Sequence, residues 1–209
     1  MKYELQRIIS GESQVRNGAV IQATADYLKR SQRTSELAKE SKLYKKQETE
    51  VLKDYITKNN LWVSDVAIEN YVSEGAEQKV YLKDGKTVIK LNDAIFYNSW
   101  EDYLNNLLLH NYFFPDTAYE LLGFYTNQED SIFAVIIQPF VRATAKTDLE
   151  GVKKFMYANG FINTKNNDYY NPDLGIILED LHDENVLTEN GVLQFIDTVF
   201  FIQDNFYID

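Results

Sequence analysis

Apolar positions in the first sixty residues recur at helical steps. From Val20 to about Asn59 there is no proline, and Ile21, Ala25 and Leu28, then Leu37, Leu43, Tyr44, Val51, Leu52, Tyr55 and Ile56 punctuate a polar run. The later set returns every three or four residues, the spacing that gathers side chains on one helix face, so two helices are predicted. Past Trp62 the period shortens. VAIENYV, KVYL and TVIKL are rich in β-branched and aromatic residues, and the last two are joined by KDGK, whose Asp84-Gly85 marks a hairpin. Three successive antiparallel strands follow. SWEDYLNNLLLHNYFF then reads as a helix: Ser99 is its N-cap, Asp102 stands three residues on, and Pro115 stops it. YELLGFYT and SIFAVIIQPF, separated by the turn NQED, are two further strands, giving the order β-β-β-α-β-β. Asp148 caps a short helix that runs to Asn159, with Gly160 as its stop. Beyond it, short apolar runs alternate with turn residues.

Composition narrows the class. A chain of 209 residues, 44% hydrophobic and 25% charged, is a folded globular protein of one domain with room for an appendage. No run approaches the roughly 18 apolar residues of a membrane span, and MKYELQRIIS lacks the apolar core of a secretory leader, so a cytoplasmic location without a membrane partner is expected. With no cysteine and two histidines, disulfides, thiolate chemistry and Cys- or His-rich metal sites fall away; a metal here would be a hard cation on carboxylates and amides. The net charge of −11 argues against a nucleic acid as main partner. It is also uneven: residues 1–60 hold 12 Lys and Arg against 8 Asp and Glu, whereas residues 61–209 hold 9 against 24. The first segment is thus expected to dock on the second, or on an acidic partner.

Candidate chemistry concentrates late in the chain. Between apolar runs, Asp180 precedes Asn185 in a D-x-x-x-x-N pattern, and Asp197 follows the strand VLQFI. That set suits phosphoryl transfer, in which an aspartate takes the proton of a hydroxyl while an amide and a second carboxylate hold magnesium on the nucleotide phosphates. An Asp five residues before an Asn is also what a plain polar loop contains, so the order of the other elements matters. Val88-Ile89-Lys90 lies on the third early strand, where the kinase pattern V-A-I-K carries its phosphate-gripping lysine. Gly75 to Val80 span the turn between the first two strands, with one of the pattern's three glycines, and Glu101 opens the helix that follows Lys90 as its candidate ion-pair partner. His182 reads as a hydrogen-bonding loop residue and His110 as helix packing.

With these residues the chain resembles the protein-kinase-like fold in reduced form. The likeness is foremost to the kinase-like domains of bacterial polyvalent proteins on phages and conjugative elements, and more distantly to aminoglycoside phosphotransferases with their D-L-H-x-x-N loop. It implies an α+β fold: a minimal protein-kinase-like domain over residues 61–209, with an antiparallel N-lobe sheet, one helix and a truncated C-lobe, after an N-terminal helical segment over residues 1–60. It implies ATP and magnesium as cofactors, Asp180 as base, Asn185 and Asp197 as magnesium ligands, Lys90 on the phosphates and Gly75 at the middle glycine. Val80, Val88, Leu187 and Ile196 would sandwich the adenine, and Ile137 to Phe140, with Gln138 among them, would form the hinge. Two departures stand out. Asp197 is followed by Thr198 and Val199 rather than Phe and Gly, and only 12 residues follow it, so an activation segment and peptide platform are not expected.

Three functions fit this reading. One is an ATP- and magnesium-dependent transfer of the γ-phosphoryl group to a hydroxyl on a protein or small molecule, self-modification of SQRTSELAKES included. The second is an inert kinase-like module that binds nucleotide or a protein partner, and the third is adenylyl transfer on the same fold. The N-terminal helices are expected to pack on the C-terminal half, in place of the missing C-lobe, and to wall the acceptor site.

Overall fold

The computed structural model describes residues 1–33, 41–64, 66, 71–74 and 78–208. Gly75, Leu37, the side chain of Leu43, residues 67–70 of VAIENYV and residues 34–40 of SQRTSELAKES lie outside them. Both expected helices form, as α2 (Ala19–Arg33) and α3 (Ser41–Lys58), and a further one, α1 (Lys2–Ile9), precedes them. Strands β1 (Tyr71–Glu74), β2 (Gln78–Leu82), β3 (Thr87–Asn92), β4 (Glu120–Thr126) and β5 (Ile132–Pro139) make an antiparallel sheet in the order β1-β2-β3-β5-β4. Asp84 turns the β2–β3 hairpin by accepting the amides of Lys86 and Thr87 at 2.7 and 2.8 Å.

The helix α4 (Trp100–Phe113) lies between β3 and β4 in sequence, and Ser99 caps it by accepting the amide of Asp102 at 2.9 Å. Beyond the sheet come α5 (Leu149–Ala158), whose N-cap Asp148 accepts the amide of Glu150 at 3.0 Å, and short strands. These are β6 (Ile162–Lys165), β7 (Asp168–Asn171), β8 (Ile176–Glu179), β9 (Val186–Glu189), β10 (Val192–Phe195) and β11 (Val199–Ile202). A four-stranded sheet in the order β11-β8-β7-β6 and the β9–β10 hairpin complete a mixed α+β architecture. Among the described residues no helix is long and apolar enough to cross a membrane.

Why the first sixty residues belong to this core follows from α4. Residues Tyr103 to Asn111 are all buried, so the helix has no solvent face and needs cover on every side. Leu5, Ile8, Ile21, Leu28, Leu52 and Ile56 from α1, α2 and α3 supply part of it, in one cluster with Leu104, Leu107, Leu108, Leu178 and Phe200. Polar contacts fix the geometry. Gln6 Nε2 donates to the Phe206 carbonyl at 2.6 Å, Lys29 stands 3.6 Å from Glu101, and Lys53 lies 2.7 Å from Asp130. The basic segment therefore docks on the acidic body as the charge split predicts, chiefly on α4, with further contact to β4 and to the 3₁₀ turn Asp204–Tyr207. After α3 the chain runs alongside β4, where Phe124 N donates to the Leu61 carbonyl and Val63 N to the Phe124 carbonyl, both at 2.8 Å. Gly123 permits this approach: its φ is +152°, and a Cβ there would collide with the Leu61 carbonyl oxygen.

Glu48 of α3 joins the two parts electrostatically. Only 4% exposed, it accepts the amides of Trp100 at 2.6 Å and Glu101 at 3.0 Å, capping the N-terminus of α4 from outside the helix. Burial, reinforced by the charges of Glu101 and Asp102, raises its carboxyl to about 7 from 4.5, against the pull of the two amides. A raised carboxyl favours the folded state while protonated, so its contribution is fully present below pH 4.5 and is lost as pH rises through 7. Glu48→Gln is expected to remove that dependence. Between pH 5 and 8 the variant should gain about 2–3 kcal/mol on the wild type in urea unfolding, at about 1.4 kcal/mol per pKa unit. A gap that stays constant with pH would show that Glu48 does not titrate in this range.

Candidate active site

β3 is an interior strand, and its alternation carries Lys90 to the helix-facing side of the sheet, opposite Val80 on β2 and Ile136 on β5. The side chain is 4% exposed. Its ammonium donates to the Ile196 carbonyl at 2.8 Å, lies 3.9 Å from the Asp197 carboxylate and faces the Tyr119 ring at 5.5 Å. Burial lowers the pKa of Lys90 while Asp197 draws it back up. Asp197 also accepts the side-chain amide of Gln78, at the start of β2. The early sheet and the late strands thus meet at one carboxylate.

The residues around Asp197 are anchored to α4. Thr198 Oγ1 is 2.7 Å from His110 Nδ1, and His110 Nε2 is 3.0 Å from the Thr117 carbonyl. A carbonyl only accepts, so Nε2 carries the proton and Nδ1 accepts the threonine hydroxyl. Burial, helped by the nearby Lys90 charge, pushes the imidazole down to about 3, and it stays neutral.

The D-x-x-x-x-N segment closes on itself. Asp180 follows β8 in a left-handed conformation, φ +69°, and its amide donates to Asp168 Oδ1 at 3.0 Å. The side-chain amide of Asn185 donates to the Asp180 carbonyl at 2.9 Å and to its Oδ2 at 3.0 Å. His182 Nε2 stands 3.3 Å from Asp180 Oδ1, and the Asn185 carbonyl accepts the Ile196 amide at 2.9 Å. Asp180, His182 and Asn185 therefore form one unit tied to the strand end that carries Asp197. The Asp180 side chain is 56% exposed, open to a second molecule.

Beside this unit lies a cleft of about 470 Å³. Val80, Val88, Lys90, Gln138, Phe140, Asn185, Leu187, Ile196 and Asp197 line it, together with Gln78, Pro139, Val141 and Glu184. The first nine are positions expected from the sequence; Gln78 and Glu184 are polar walls it did not single out. Gln138 Nε2 donates to the Thr117 carbonyl at 2.7 Å, while its Oε1 is buried without a hydrogen-bond partner among the described residues. A larger cavity of about 760 Å³ lies between α1 and α2, and its rim charges already pair as Arg7–Glu12, Arg30–Asp26 and Lys29–Glu101.

One expectation is corrected here. Glu101 does not pair with Lys90. It occupies the first turn of α4, whose end is covered by α3 and α2, and its carboxylate lies beside Lys29 instead. Among the described residues none that lines the cleft precedes Gln78, so the N-terminal helices take no part in it; their apolar faces are committed to α4. Gly75 lies outside the described residues, so its place in the phosphate loop is not part of this geometry.

In sequence, residues 45–204 match the family described as "Serine/Threonine/Tyrosine Kinase found in polyvalent proteins". No curated protein matches the chain, and the likeness to aminoglycoside phosphotransferases rests on the Asp180–Asn185 loop alone.

Proposed function

The chain belongs to this family of kinases found in polyvalent proteins, and on that footing we propose that it transfers the γ-phosphoryl group of ATP, with magnesium, to a hydroxyl acceptor on a protein or small molecule. The observation that carries the proposal is the approach of Lys90 to Asp197, 3.9 Å apart in a cleft that Asn185 also lines. A buried lysine beside a carboxylate and an amide is costly to maintain without a ligand to bind.

The residues present fit both a magnesium ion and a nucleotide. Among the described residues no cluster of three or more acids or histidines forms a cage for a metal. Magnesium in nucleotide sites is held by one or two protein oxygens together with phosphates and water. Asp197 supplies a carboxylate, and because the amide nitrogen of Asn185 is engaged with Asp180, its Oδ1 is the atom left for a cation. Val80, Val88, Leu187 and Ile196 offer apolar walls to a base.

In this reading Lys90 neutralises phosphate charge, and bound magnesium would offset the charge that develops between the phosphates. Asp180 orients the acceptor hydroxyl and takes its proton. The Asn185 amide on Oδ2 and His182 beside Oδ1 fix the carboxylate. Glu179, Asp168 and Asp183 make its surroundings acidic, and burial with the Asp168 and Asp180 charges raises the Glu179 carboxyl.

Thermal unfolding tests the nucleotide site. At about 100 times Kd, Mg·ATP should add roughly 2.7 kcal/mol, a rise of about 5–10 °C for a chain of this size. Lys90→Ala should shrink the shift, and omission of magnesium should reduce it. No shift at millimolar Mg·ATP would count decisively against the site. Intact-mass analysis after incubation with ATP then separates phosphoryl from adenylyl transfer, and a shift without any turnover would identify an inert binding module.

A further inference from the structure

Lys90 needs something to hold it. α4 carries two acids, Glu101 and Asp102, both in its first turn, and Glu101 lies beside Lys29. Among the described residues the charge that acts on Lys90 is that of Asp197. From the far end of α4, the group near Lys90 is His110, which is neutral. What does face the ammonium is the ring of Tyr119.

We propose that Tyr119 is the positioning residue of the nucleotide site, restraining Lys90 and Asp197 together as an ion pair from α4 would otherwise do. The inference rests on the kinase reading above. The Tyr119 hydroxyl donates to the Ile196 carbonyl at 2.9 Å, the same oxygen that accepts Lys90 Nζ at 2.8 Å. One carbonyl, immediately before Asp197, thus ties the tyrosine to the lysine.

Tyr119 is itself fixed. Its amide donates to Asn111 Oδ1 at 2.7 Å, its carbonyl accepts Asn111 Nδ2 at 2.8 Å, and its ring lies 4.2 Å from that of His110. His110 in turn accepts the hydroxyl of Thr198, the residue after Asp197. Both flanks of Asp197 are therefore bound to groups that α4 holds rigid, one through Tyr119 and one through His110. An aromatic face attracts a cation without cancelling its charge. A carboxylate from α4 would have neutralised Lys90 in part; Tyr119 leaves that charge for the phosphates.

Two variants and one background test this. Tyr119→Phe removes the hydroxyl and keeps the ring on His110, whereas Tyr119→Leu removes both. Affinity for Mg·ATP and kcat for ATP turnover are measured for each, and affinity again in a Lys90→Met background. Tyr119→Phe should keep affinity within about twofold and lower kcat about tenfold. Tyr119→Leu should lower kcat about 10²-fold, a loss typical of a misplaced reacting group, and weaken affinity about tenfold. With Met at position 90 neither change should weaken affinity further, because the partner it acts through is gone. Turnover of Tyr119→Leu within twofold of the wild type overturns the proposal. So does an affinity loss of the same size in both backgrounds, which marks packing alone. Should the leucine variant fail to fold, Tyr119→Phe decides, and unchanged kcat overturns the role. A wild-type protein that binds no Mg·ATP removes the kinase reading before any variant is made, and the proposal with it.

Discussion

Asp197→Asn is expected to abolish phosphoryl transfer, with kcat lowered at least about 10³-fold, while the protein remains folded. The substitution changes almost no volume and keeps an oxygen for the Gln78 amide. It removes the one carboxylate within ion-pair distance of Lys90 among the described residues. A ligand that places magnesium contributes several kcal/mol of charge stabilisation, and each 1.36 kcal/mol or so is tenfold in rate. Asp180→Asn should behave differently. Nucleotide binding should survive, because Asp180 does not line the cleft, and turnover should fall by about 10²–10⁴, the usual contribution of a positioned base. Release of ADP and intact mass measure both variants alongside the nucleotide-dependent melting shift. Full activity in Asp180→Asn would remove the base assignment.

Deleting residues 1–58 is expected to destroy cooperative folding. Leu5, Ile8, Ile21, Leu28, Leu52 and Ile56 are each 0–1% exposed. At roughly 1.5–3 kcal/mol for each buried Leu or Ile, the six contribute on the order of 10 kcal/mol or more as an upper estimate. That is as large as the whole net stability of a typical domain, about 5–15 kcal/mol. The deletion also uncovers Leu104, Leu107 and Leu108 of α4, and it takes away Glu48, the acceptor for the Trp100 and Glu101 amides. Aggregation or a broad, non-cooperative melt is the expected outcome. A soluble remainder with a sharp transition and unchanged nucleotide-dependent activity would show that the helices are an arm rather than part of the core.

The parts of this architecture that were legible in the sequence are those set by near neighbours. Asp84, Ser99 and Asp148 each bond a main-chain amide two or three residues away, so their turns and caps follow from local composition. The Asp180–Asn185 unit is likewise local, and its spacing survives folding intact. What escaped is decided by contacts far apart in the chain. Gln78 meets Asp197 across 119 positions and Tyr119 meets Ile196 across 77, and no periodicity marks either. Glu101 misled for a related reason: its place in the helix is readable from sequence, but the neighbour its first turn faces is not. The apolar spacing of Leu5, Ile8 and Ile9 in α1 was present, yet eight residues give too few turns for a period to stand out.

The bond between α1 and the final 3₁₀ turn fixes when this molecule can close. Gln6 and its acceptor, Phe206, are separated by 200 positions. At translation rates of about 5–20 residues per second, the first helix leaves the ribosome some 10–40 s before its last partner exists. Until then Leu5, Ile8 and Ile9 have no completed surface on which to settle, and α1 has to wait for the turn that holds Phe206. A segment that waits in this way is exposed to proteases and to mispairing throughout the interval, and a ribosome stalled before Phe206 would hold α4 and the sheets without the turn on which α1 is fastened.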